Sequence, residues 1–165
     1  MEPWLSGTHT DLPPVLRAVV HALELARDDI DAALAHLPDS ALDARPSGIA
    51  SIAFHLHHIP RSLDRLLTYA EGGHLSDAQL AALQSEGDSA GSKSSLLAEF
   101  HQGLDAALIR IRAFAADPGL NLAKARAVGR KALPTTIGGL LVHCADHTQR
   151  HVGQLVSTAK ILRGV

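Results

Sequence analysis

Three histidines, His143, His147 and His151, recur at intervals of four toward the C-terminal end of the chain. On a helix of ~3.6 residues per turn, successive members lie about 40° apart around the axis and form one stripe. The stripe runs among apolar residues, Leu140, Leu141, Val142, Leu155 and Val156. Imidazole is costly to bury without a partner, and it is also the commonest metal ligand near neutral pH. The stripe is therefore either a hydrogen-bonded polar network or a metal site. His147 and His151 can grip one ion between them, because residues four apart are neighbours on a helix.

A second concentration of imidazole, His55, His57 and His58, lies far upstream in a chain that holds 11 histidines in 165 residues. One ligand from this group would complete a set of three neutral nitrogens with open positions on a divalent first-row ion. Such an ion lowers the pKa of bound water to about 7 or holds a thiolate. The isolated His21, His36, His74 and His101 read as structural or exposed. Cys144, three residues before His147, can face the same cavity, although a small buried thiol is more often core filler than nucleophile. Glu71-Gly-Gly-His74 has Glu-x-x-His spacing, but its two glycines mark a helix end and not a ligand-bearing helix. His-Glu-x-x-His, a glycine-rich phosphate loop and a Gly-x-Ser-x-Gly elbow are all missing.

Four long helical patterns must position these residues. The first spans about Leu12 to Leu37, with Pro13 and Pro14 at its start, Asp11 as expected cap, and Val19, Leu23, Ile30 and Leu37 in phase. The second spans Ser47 or Gly48 to about Ala70 and ends at Gly72-Gly73; Pro60 inside it removes one backbone hydrogen bond and predicts a kink near His55 to His58. A short helix follows from Ser76 to Leu83, then a loop from Glu86 to Gly91. The third long helix spans Lys93 to Ala116. Leu120 to Leu133 reads as a basic loop with an extended piece near Ala127-Val128. The fourth helix starts after Pro134, capped by Thr135 or Thr136, and reaches about Leu162. Residues 1–165 thus read as a single all-α domain, a four-helix bundle with a short extra helix between its second and third members.

Composition narrows the function. Hydrophobic residues make up 46% and aromatic residues only 3%, so the core must be aliphatic, which suits close-packed helices. A formal net charge of −2 provides no basic field for nucleic acid or an anionic membrane surface. No apolar run approaches the ~20 residues of a membrane span, and no signal-peptide pattern opens the chain. One cysteine excludes an intrachain disulfide and fits a reducing cytoplasm.

Two stretches resemble a known family. Pro46-Ser-Gly-Ile-Ala-Ser51-Ile-Ala-Phe-His-Leu-His-His58 is similar to the second-helix signature of the DinB/YfiT-like superfamily, and His147-Thr-Gln-Arg-His151-Val-Gly153-Gln154 to its fourth-helix signature, His-x-x-x-His-x-Gly-Gln. The resemblance implies an up-down-down-up order of helices, a homodimer, and one divalent ion per chain, zinc or nickel by family habit; ligand softness and geometry permit iron or cobalt as well. It implies His58, His147 and His151 as ligands. His143 and His55 would orient a ligand or line the pocket, and Arg61, one turn beyond His58, would help to shape it. Val152 stands where many members carry Arg. The expected activity is transfer of a low-molecular-weight thiol, as co-substrate, to a small-molecule electrophile. The alternatives are a hydrolase using bound hydroxide and a non-catalytic metal-binding stress-response protein.

Overall fold

A computed structural model describes residues 1–88 and 91–164, and it is mainly helical. The expected loop from Glu86 to Gly91 includes Ser89 and Ala90, which lie outside the described residues. The elements are α1 (Pro14–Leu34), α2 (Ile52–Glu71), α3 (Asp77–Gln84), α4 (Lys93–Ala116), β1 (Ala125–Val128), β2 (Leu133–Thr136) and α5 (Ile137–Arg163).

Local chemistry sets the ends. Pro13, not Asp11, is the N-cap of α1, with no side-chain cap bond. α2 begins later than its apolar pattern suggests, because Ser47 (φ 53°) and Gly48 (φ 79°) take left-handed backbone in a short 3-10 turn that a helix cannot include. Ser51 then caps α2, its hydroxyl accepting from Phe54 N–H at 3.2 Å. The helix is unbroken across Pro60 and closes at Gly72, φ 90°. Ser76 and Gln79 form a reciprocal capping box on α3. The segment expected to be loop-like folds into an antiparallel hairpin, β1 with β2, pairing Ala125 with Thr136 and Val128 with Leu133. Thr136 leaves that ladder and caps α5 by accepting from Gly139 N–H.

Leu16, Leu23 and Ile30 of α1, Ile52, Leu56, Ile59 and Leu63 of α2, Phe100, Leu104 and Ile111 of α4, and Leu141 and Leu155 of α5 form the aliphatic core. α1 packs on α5 and α4, and α2 packs on α4 and α5. Gly103 lets α4 approach closely, since a Cβ there would lie 2.3 Å from Cβ of Pro60. His55 meets His151 and His58 meets His147, so α2 and α5 run antiparallel. Arg61 meets Glu99 and Arg110 meets Glu71, so α2 and α4 run parallel. Arg27 meets Asp105 and Asp31 meets His101, so α1 opposes α4. These pairings support an up-down-down-up course. No helix among the described residues is long and apolar enough to cross a membrane.

Candidate metal centre

The fourth-helix stripe and the second-helix cluster converge across the α2–α5 seam. One ring nitrogen from each of His58, His147 and His151 lies within 4.8 Å of the others, and all three side chains are half-buried. His58 Nε2 and His147 Nε2 are 2.9 Å apart. Ring centroids of His58 and His147 each lie within 4.5 Å of the His151 centroid, at 4.3 and 4.5 Å. Ligand nitrogens at ~2.05 Å around a tetrahedral ion are roughly 3.3 Å apart, so the His58 and His147 nitrogens need part only slightly to reach ligating separation.

The hydrogen bonding suits that role. Glu86 Oε2 lies 2.7 Å from His58 Nδ1; a carboxylate accepts, so Nδ1 donates and Nε2 keeps its lone pair toward His147. His151 Nδ1 lies 3.0 Å from His55 Nδ1, which leaves Nε2 of His151 as its remaining nitrogen. Protonation of His55, His147 and His151 is disfavoured. Burial, then the charge of His58, pushes His55 down to about 4. Burial, followed by the positive neighbours His58, His143 and Arg150, pushes His147 down to about 4. Burial and the same kind of crowding, led by His58 and His147, push His151 down to about 3. With His58 Nε2 bare, His147 Nε2 donates to it across 2.9 Å, and a divalent ion of the zinc type would displace that hydrogen to be held by ring nitrogens of His58, His147 and His151.

The other expected site residues are distributed around this point. His55 is buried and bonded to His151. It also lines a cavity of about 520 Å³ together with Ile49, Arg150, Gln154 and Ser157. His143 is at the exposed rim, its Nδ1 2.8 Å from Asp146 and its ring 5.3 Å from that of His147. Arg61 donates to Glu99 at 2.7 Å, to the Ala82 carbonyl at 3.0 Å and to Ser85 Oγ at 3.1 Å, so it borders the centre through the residue before Glu86. His57 turns to Glu99, 2.8 Å away. Val152 is buried in the α1–α5 seam and points away from the histidines. Cys144 is fully buried, and burial pushes its thiol up to about 12, so it is core and not nucleophile.

Two residues at the centre were not expected. Phe54 stacks on His58, centroids 5.1 Å apart and planes at 16°. Glu86 carried no sequence signal, because a glutamate in a polar loop has no periodicity to betray it. Its burial raises the cost of its charge, but hydrogen bonds from His58 and Arg65 outweigh this and hold it below its ordinary value.

A second grouping, His9, His21 and Glu24, also brings three donor atoms within 4.8 Å. Here Arg112 donates to His9 Nδ1 at 3.0 Å, so the ring hydrogen sits on Nε2 and bonds Glu24 at 2.6 Å. His9 then has no free lone pair, and the group reads as a strap holding the N-terminal segment to α1.

A match to the DinB superfamily covers residues 22–155, and the chain belongs to that family. The matched span includes both histidine clusters. No curated protein matches the chain.

Proposed function

We propose that this protein is a divalent-metal-dependent enzyme of the DinB superfamily that transfers a low-molecular-weight thiol to a small electrophile. The observation that carries the reading is the meeting of ring nitrogens of His58, His147 and His151, from two helices, within 4.8 Å. An ion held by these three, zinc or nickel in the first instance, supplies a positive charge that keeps a thiol sulfur deprotonated at neutral pH. His58 would be held by Glu86, and His151 by His55. The thiol has to come from a separate molecule, since Cys144 is buried and its thiol pushed up to about 12. The cavity beside His55 offers room for that co-substrate, with Arg150, Gln154 and Ser157 as polar contacts. In the transfer a carbon–sulfur bond forms, and the leaving group departs with its electron pair. A homodimer acting in the cytoplasm, without nucleic-acid or membrane partners, completes the reading.

Elemental analysis of the purified chain and of His147→Ala tests the centre. About one transition ion per chain, lost in the variant, is expected. Incubation with zinc or nickel, a panel of small thiols and a model electrophile tests the reaction. A metal-dependent rate above background supports transfer, and its absence across all thiols sinks it. Thiol-independent turnover of esters would select the hydrolase instead, and metal uptake without turnover would select the non-catalytic protein.

A further inference from the structure

Glu86 is 4% exposed, yet it sits on the irregular connection that follows α3 and not on a bundle helix. A carboxylate so placed is tolerated only when paired. Both oxygens are taken: Oε2 by His58 Nδ1 at 2.7 Å, and Oε1 by Arg65 Nη1 at 2.6 Å. Arg65 is itself 12% exposed and lies two turns along α2 from His58. Phe54 stacks on the His58 ring and fixes its plane. The plane alone leaves two ring flips, with either nitrogen toward His147. Only the carboxylate chooses between them, since it accepts and does not donate.

We propose that Glu86, braced by Arg65, is a positioning residue that sets the tautomer and flip of His58, and that the turn directly after α3 is thereby a third structural component of the centre. This rests on the reading that His58, His147 and His151 hold an ion. The carboxylate takes the Nδ1 hydrogen, Nε2 is left bare toward His147, and the His58 lone pair is aimed before any ion arrives. Histidine ligands held in this way bind metal more tightly, and loss of such a partner costs 10–100-fold in affinity.

Glu86→Gln separates this role from mere packing. It keeps the volume but has one acceptor oxygen for two donors, so either His58 or Arg65 faces an amide N–H. Imidazole nitrogen NMR of metal-free protein is expected to show His58 as the Nδ1–H tautomer in the wild type and as a mixture in Glu86→Gln. Zinc affinity, measured by chelator competition on folded protein, is expected to fall 10–100-fold. An Nε2–H tautomer of His58 in the metal-free wild type overturns the proposal without any variant. So does a Glu86→Gln protein that melts earlier but keeps its tautomer and its zinc affinity, since that is the behaviour of a packing residue. If the wild type takes up no zinc, the metal reading fails, and the tautomer measurement still decides the role of Glu86.

Discussion

His55 Nδ1 and His151 Nδ1 face each other at 3.0 Å, a contact between residues 96 apart in the chain. Only one of them can donate. If His151 gives its hydrogen, its other nitrogen keeps a lone pair on the side of His58 and His147. His55→Phe removes the acceptor and retains ring volume, and zinc binding is expected to weaken about 10-fold. His55→Gln, whose carbonyl can accept, should restore most of the loss. Chelator competition measures both, and unchanged affinity in His55→Phe would remove His55 from the centre.

The metal-free protein should lose stability in mild acid. Unfolded imidazoles titrate near 6.5, whereas His55, His147 and His151 are pushed to about 4, 4 and 3 in the fold. Between those limits the unfolded chain takes up protons that the native chain refuses, so stability falls as pH drops below 6.5. Well above 6.5 these groups are neutral in both states and contribute no slope. The loss at pH 5 is expected to be about 1–3 kcal/mol, with the exposure of His147 and His151 allowed for. Urea unfolding of chelator-treated protein at pH 7 and pH 5 measures it, and equal midpoints would contradict the buried-neutral description.

Cys144→Ala should leave the metal content and any thiol-dependent turnover unchanged, at a cost of about 1–2 kcal/mol for the small cavity in the core. Native protein should also alkylate far more slowly than urea-unfolded protein at pH 8. Loss of turnover in a folded, metal-loaded Cys144→Ala protein would return the thiol to the mechanism.

Thr148 is fully buried, and its Oγ1 finds no hydrogen-bond partner among the described residues. An orphaned hydroxyl costs more than it contributes. Thr148→Val should therefore raise unfolding free energy by about 1 kcal/mol while the metal content stays the same. Denaturant midpoints and elemental analysis check the two halves.

Much of the fold could be read from residue spacing because its strongest signals are periodic. α4 lies at Lys93–Ala116, as its apolar phase predicts, and the structure adds Ser92 as its cap. The four-residue spacing of His147 and His151 likewise puts two rings on one face before any fold is known. Features set by backbone strain or distant partners were harder to read. The start of α2 depends on left-handed backbone at Ser47, which a serine does not advertise. The β1–β2 hairpin uses strands of only four residues, Ala125–Val128 and Leu133–Thr136, whose residue types show no clean apolar–polar alternation. Glu86 acquires its meaning only from His58, 28 residues upstream.

Gly103 lies on a helix that carries none of the three histidines, yet it faces Pro60, two residues beyond His58. The gap between α2 and α4 is thus gauged by an atom that is missing. A methyl at 103 would act as a wedge, prising α4 from α2 and tilting the face on which His55 and His58 are mounted. The tolerance of the histidine centre is in this sense machined from outside it, on the far side of the helix that bears His58.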